Sequence, residues 1–282
     1  MNVPYHSARL EGKVVRAFYR GGLFAIVRQT LRIARELPFD VFAYSGENTL
    51  PEQVASIRSF LANAGRPKQF TVVSDGSYSD SSIALLERID DCVRVETKPP
   101  ELPSGLSKKT EAYLKAHPTG KQLALLLSLP MGAPTLYTDS DVLFFPQACE
   151  LANIAGTKAV SAFYLADYQF SGDERLISNP AERQNPANTG FVFLFETLDW
   201  SPGLARLQTL DGPPSFFTNQ TVTHFCMHAN GARPFDSKKF VLQVDDEFIY
   251  RDIHARASIA MRHYVNPVRH KFWTPFARRL PK

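Results

Sequence analysis

Long hydrophobic runs are missing from this chain of 282 residues. The longest, Leu123 to Met131, is broken by Ser128 and Pro130 and falls far short of the roughly 20 residues that a bilayer span needs, so no transmembrane helix is expected. The first residues, MNVPYHSARLEGKVVRAFYRGG, lack an apolar stretch followed by a small-residue cleavage site. A secretory signal is therefore not expected, and a cytoplasmic place is, with the inner face of the membrane as a peripheral alternative. Cysteine is scarce: Cys92, Cys149 and Cys226 are odd in number, far apart and without a CxxC pair, which argues against a disulfide framework and a zinc site. Internal repeats, low-complexity tracts and linker-like clusters of proline and glycine are also lacking, so one main domain is the simplest organisation.

Charge is sparse in sum and uneven in place. The formal net charge is only +4, yet residues 1 to 37 carry seven Lys/Arg against two acids, and residues 262 to 282 carry six against none. Basic ends suit an anionic membrane, nucleic acid or a phosphorylated ligand, and no nucleic-acid reading module accompanies these. The first segment interleaves its arginines with Phe18, Phe24, Ile26, Val27, Leu31 and Ile33. That pattern predicts amphipathic helices broken near Gly21 and Gly22. Such an arm, residues 1–37, would lie on an anionic membrane, or dock on the chain's own sheet or on a second subunit to make a homodimer. Residues 38–282 would form the main domain.

Beyond Pro38 the pattern alternates. DVFAYS (40–45), QFTVVS (69–74) and CVRVE (92–96) read as strands. Between them lie a helix opened by Pro51, with Val54, Ile57 and Leu61 on one face and Gly65 at its end, and a helix over 80–89 capped by Asp80. Helical segments near 107–116 and 120–129 then lead into the strand APTLYT, which ends at Asp139. Strands alternating with helices predict an α/β fold, a mixed but mostly parallel sheet with helices on both faces. Ligands of such sheets bind beyond the carboxyl ends of the strands.

The stretch LYTDSDVLFF (136–145) sets two carboxylates at such an end. Along an extended backbone, residues i and i+2 point the same way, so Asp139 and Asp141 would converge on one point. Two carboxylates aimed together repel unless a cation lies between them, and Mg²⁺ or Mn²⁺ suits oxygen ligands that share the ion with phosphate. Strand capping is the plainer explanation. An aromatic ring such as Tyr44, beside Ser45 at the first strand end, offers a flat face on which a planar ligand can stack.

LYTDSDVLFF resembles the DxD segment of nucleotide-sugar glycosyltransferases of the GT-A fold, in particular the retaining glycogenin and galactosyltransferase-like family, glycosyltransferase family 8. In order, NTGFVFLF (188–195) resembles that family's Asn-x-Gly strand, FTNQTVTHF (217–225) its Asp-Gln helix start, and HYVNPVRHKFW (263–273) its terminal His-aromatic-x-Gly-x-x-Lys-Pro-Trp. The resemblance spans roughly Phe39 to Trp273. It implies a GT-A fold and a metal-dependent transfer of sugar from a nucleotide-diphosphate sugar, UDP-linked by preference, to a glycan or glycolipid. It implies that Asp139, Asp141 and His263 hold Mn²⁺ or Mg²⁺, with Ser140 among the nucleotide-binding residues and the nucleotide base as the planar ligand stacked on Tyr44, beside Ser45. Arg269 or Lys271 would supply a second cation for the diphosphate, depending on whether the terminal motif is counted from His263 or from Trp273. Asn188 would hold donor sugar or acceptor, Asp167 would recognise sugar hydroxyls, Gln220 would face the sugar opposite the leaving group, and Lys121 would contact phosphate or the metal carboxylates.

Two departures stand out: Asn266 occupies the place of the family's glycine, and Asn219 that of the acid beside Gln220. A neutral Asn219 favours a front-face retaining mechanism, in which the diphosphate itself takes the acceptor's proton. VVSDGSYSD (72–80) resembles instead a segment of inverting family-two enzymes, with Asp75 on base or ribose. An inverting enzyme needs a general base, for which Asp245, Asp246 and Glu247 offer themselves. A non-catalytic sugar- or nucleotide-binding module of the same fold is the remaining alternative. The sequence leaves sugar, base, acceptor and oligomeric state open.

Overall fold

The computed structural model of the protein describes residues 2–130, 132–156 and 160–277; Arg278, Arg279 and Lys282 of the basic C-terminal run lie outside them. The expected strands are β1 (Asp40–Ser45), β2 (Phe70–Ser74), β3 (Val93–Glu96) and β4 (Thr135–Thr138), joined to β6 (Ala162–Ala166), β7 (Ala187–Leu194) and β8 (Arg233–Pro234) in one sheet of order β3-β2-β1-β4-β7-β6-β8. Four of its pairings are parallel, and only those of β7 with β4 and with β6 are antiparallel. The mixed, mostly parallel sheet is thus as expected.

Neighbouring residues of one strand enter different cores, so both faces are covered. Val72, Leu136, Phe191 and Phe193 pack with Val54, Ile57 and Leu61 of α3 (Leu50–Asn63). Val73, Tyr137, Val192 and Leu194 pack with Leu125 and Leu126 of α6 (Pro118–Ser128) and Met227 of α9 (Thr218–Ala229). Burial on both sides makes β4 and β7 continuous apolar runs rather than alternating ones. The helix α4 (Asp80–Glu87) is capped one residue earlier than expected: Ser79, not Asp80, accepts the Ser82 N–H. The expected helix near 107–116 is α5 (Lys108–Ala116), capped by Ser107.

After β4 the chain leaves the central sheet. It turns through Asp139 to Asp141 and enters β5 (Val142–Phe144), which pairs with β10 (Met261–His263) in a small sheet completed by β9 (Phe240–Val241). The pairing sets His263 against Val142, beside Asp141. On the other flank, β7 bulges: Tyr164 of β6 pairs with Val192, but Leu165 pairs with Asn188. Bulges redirect side chains at sites, and this one lets the Gly190 carbonyl accept the Asp139 N–H at 2.8 Å.

The basic N-terminal segment breaks where its glycines predict, into α1 (Val3–Gly21) and α2 (Leu23–Val27). It belongs to the core of the main domain. Val15 packs with Tyr264, Phe272 and Trp273, and Leu23 and Val27 join the core beneath the sheet. Gly12 is needed for this docking: a Cβ there would lie 2.3 Å from the His270 carbonyl oxygen. Arg16 fixes the helix further, donating to Glu52 and to the Asn48 carbonyl. No helix among the described residues is long and apolar enough to cross a membrane.

Candidate active site

Three elements bring Asp139, Asp141 and His263 together: the end of β4, the turn after it, and β10. His263 Nε2 lies 3.0 Å from Asp141 Oδ1 and 3.6 Å from Asp139 Oδ2. The aspartates converge as expected, but from a turn between two sheets rather than from one extended strand. Asp139 accepts from the Tyr137 hydroxyl at 2.6 Å and from Gln122 Nε2 at 2.8 Å, while the other oxygen of Asp141 accepts from Arg269. Burial pushes the Asp139 carboxyl up, with Asp141 adding to the rise. Burial acts the same way on Asp141, yet the cations His263 and Arg269 outweigh it and hold that carboxyl down. For His263, burial would lower the imidazole, but the attraction of Asp141 wins and raises it.

The donor set fits a hard or borderline divalent cation. Two carboxylates and an imidazole place one ligand atom each within 4.8 Å of one another, an oxygen-rich set suited to Mn²⁺ or Mg²⁺ with phosphate completing the shell. Gly190 keeps the space beside them open, since a Cβ there would stand 2.2 Å from His263 Cε1 and 2.7 Å from Asp139 Oδ2.

These three residues form one wall of a cleft of about 360 Å³; Asp167, Asn188 and Gln220 form another. Asp167 Oδ2 accepts from Gln220 Nε2 at 2.9 Å and from Asn188 Nδ2 at 3.4 Å, and Asn188 Oδ1 accepts the Gly190 N–H. Asn188 sits within β7, at its bulge. Gln220 lies in the first turn of α9. Burial raises the Asp167 carboxyl, partly offset by its hydrogen bonds.

Gln122 joins the two walls and escaped sequence reasoning. It accepts from Asn219 Nδ2 at 2.7 Å while donating to Asp139, so the neutral Asn219 is tied to the Asp139 carboxylate through one amide. The only hint was a polar side chain entering the otherwise apolar run QLALLL of α6. Asp173 was missed too. It accepts from Arg175, Thr218 and Ser215, anchoring the start of α9, and the Arg175 guanidinium holds its carboxyl far below the usual range.

Other expected residues lie apart from the cleft. Tyr44, Ser45, Asp75 and Lys121 gather at the carboxyl ends of β1 and β2, the same sheet edge as Asp139. Ser45 bonds to Gln53 and Tyr78, Lys121 donates to the Asp75 carbonyl, and the Asp75 carboxylate rests directly over Gly46. Ser140 faces a second groove of about 570 Å³, on the far side of Asp141 and Arg269, with Arg9, Lys13 and Arg16 of α1 opposite. Of the two candidate cations, Arg269 lines both cavities. Lys271 lines neither: it is fully buried and donates to the carbonyls of Ile249 and Arg251.

Lys271 belongs to a closed ionic cluster next to the site. Arg262 is fully buried and donates to Asp246 and Asp252, and Tyr264 donates to Asp252. Asp246 belongs also to a second acid–histidine group, with Asp245 and His254. Its carboxylate already meets Arg262 and Lys271, so resident cations fill the place an ion would take. Of the acids weighed as an inverting base, Asp246 is thus buried in this cluster, Asp245 pairs with His254, and Glu247 lines the groove.

No protein-family model and no curated protein sequence matches the chain. Solved structures do match. The galactosyltransferase LgtC, in complex with donor and acceptor sugar analogs, superposes with a TM-score of 0.56 at 15% identity, over 86% of this chain and 96% of that one. The fold is that of the GT-A glycosyltransferases. Mouse xyloside xylosyltransferase 1 shares this GT-A fold at a TM-score of 0.52 and 12% identity, covering 83% of this chain and 99% of its own. GlyE of Streptococcus pneumoniae TIGR4 does so at 0.53 and 11%, covering 87% and 63%. The GT-A fold expected from LYTDSDVLFF is therefore the observed one.

Proposed function

We propose that the chain is a metal-dependent glycosyltransferase that moves a sugar from a nucleotide-diphosphate sugar to a glycan or glycolipid acceptor. The observation that carries this reading is the convergence of Asp139, Asp141 and His263, with Arg269, on the lip of a cleft whose other wall is Asp167, Asn188 and Gln220. The neighbours support it: LgtC shares the fold and binds donor and acceptor sugar analogs. Asp139, Asp141 and His263 would hold Mn²⁺ or Mg²⁺, which supplies positive charge against the diphosphate as it leaves.

Arg269 adds a guanidinium suited to a phosphate oxygen once Asp141 has another partner. Asp167, Asn188 and Gln220 present acceptors and donors to sugar hydroxyls, and Phe216 and Phe217 give the same cleft apolar ring surface. Tyr44, Ser45 and Asp75 would meet the nucleoside from the shared sheet edge, with Lys121 directed to phosphate and Ser140 to the part of the nucleotide that reaches the adjoining groove. With Asn219 neutral and bonded to Gln122, retention through a front-face step is the preferred outcome. A specific observation favours inversion as the second reading: Asp167 is a cleft carboxylate whose affinity for a proton is raised by burial, as a general base requires.

Calorimetric titration with UDP, GDP and CMP, with and without Mn²⁺, tests the proposal. Nucleoside diphosphate binding that strengthens with Mn²⁺ is expected. Binding indifferent to the metal, or a preference for CMP, which has no diphosphate, would overturn it. The anomeric configuration of the product then separates retention from inversion.

A further inference from the structure

The helix α1 has three faces, and the site and the core use only two. Ala8, Gly12 and Val15 are buried against the body of the protein. Arg9, Lys13, Arg16 and Arg20 follow at spacings of four, three and four, which sets them in one stripe, and the first three line the groove beside Asp141. The third face is apolar and in water: Val3, Leu10, Val14 and Phe18 are 65%, 64%, 44% and 64% exposed.

A loop adjoins it with the same inversion. Phe248, Ile249, Tyr250 and Ile253 are all exposed, while three acids of that loop are paired away from this surface: Asp246 and Asp252 with Arg262, Asp245 with His254. Lys271 clamps it from beneath through the Ile249 and Arg251 carbonyls. Tyr5 of α1 meets Phe248 ring to ring at 5.6 Å, and Tyr250 donates to Glu11. Eight of the twelve exposed large hydrophobic side chains among the described residues thus belong to this helix and loop. Single exposed apolar residues mean little, but a fixed group of them marks a contact surface.

We infer that this face docks on a bilayer carrying anionic lipids. The apolar stripe would enter the headgroup boundary while Arg9, Lys13 and Arg20, with Arg251 of the loop, meet the lipid phosphates. Charge decides between a membrane and a second copy. In a two-fold dimer the same cationic stripe would face itself, and like charges would oppose association. Since α1 also lines the groove beside Asp141, docking would bring a membrane-borne acceptor within reach; that clause rests on the transferase reading, whereas docking itself does not.

Flotation of the full chain with vesicles, without nucleotide sugar, tests the docking alone. The protein is expected to float with vesicles containing phosphatidylglycerol and to float poorly with phosphatidylcholine alone. Added salt should release it, since screening weakens exposed charges. A Leu10→Asp, Phe18→Asp double variant should bind about tenfold less, because each change removes an apolar insertion, and Lys13→Glu with Arg20→Glu should lose the preference for anionic lipid. All four positions are exposed, so unchanged melting temperatures are expected; should a variant unfold, the lipid and salt dependence of the natural chain still decides. No flotation with either vesicle, equal flotation of the double Asp variant, or a dimer that Phe18→Asp splits would overturn the inference.

Discussion

Arg262 and His263 are consecutive residues of β10, and each is the hub of a buried ionic cluster. Around Arg262 the anions Asp246 and Asp252 meet resident cations, Lys271 completes the set, and neither the arginine nor the lysine is exposed to solvent. Around His263 two carboxylates crowd one imidazole at the wall of an open cleft. Similar residue types therefore do different work. A buried charge balanced by protein partners holds a fold together, whereas the Asp139 carboxyl, raised by burial and by Asp141, is the group that the proposed cation would relieve.

The first way to break that contrast is Arg262→Met. Removing the hub leaves Asp246 and Asp252 buried without their main partner, and urea unfolding should register a loss of about 3–5 kcal/mol. A loss below about 1 kcal/mol would mean that the cluster is not the clamp described.

Asp139→Asn should do the opposite. Because the folded state raises the proton affinity of Asp139, its ionised form is disfavoured by folding, and stability falls as pH rises past the usual aspartate range. The neutral amide should leave thermal stability at pH 7 unchanged or slightly higher. Metal-dependent nucleotide binding should fall at least about tenfold, as for a site losing one ligand. Destabilisation with binding intact would make this pair structural, like the Arg262 cluster.

The smallest effect concerns a half-buried ion pair near the surface, which sharpens the comparison from outside. Arg206 donates to Glu182 at 2.7 Å and holds its carboxyl down at about 2. A depressed acid contributes stability above its usual range and loses it as pH falls through the folded value, so the loss belongs between about pH 4.5 and 2. Glu182→Gln should flatten that part of the stability–pH curve by about 1 kcal/mol or less, the size usual for ion pairs near the surface.

Sequence reasoning reached the sheet because its strands are short apolar runs set between helices with legible ends, as at β1, α3 and β2. It picked out Asp139, Asp141 and His263, which the fold brings together, because each sits in a motif with an order along the chain. It could not choose between Arg269 and Lys271, because two residues of extra length leave the alignment ambiguous and burial is a property of the folded chain. Gln122 and Asp173 carried no motif. Their importance lies in partners 97 and 45 residues away. The capping of α4 moved from Asp80 to Ser79 because adjacent residues both make good caps and the local turn selects one.

By itself, then, the sequence determined the alternation of elements, the carboxyl end where charge gathers, and the basic character of α1, since these follow from periodicity and local chemistry. Tertiary structure decided the rest. Pairing β10 with β5 brought His263 to Asp141, the bulge in β7 turned Asn188 and Gly190 into the site, and docking through Gly12 left one face of α1 apolar and exposed. Each of those outcomes depends on contacts between residues distant in the chain, which no local pattern records.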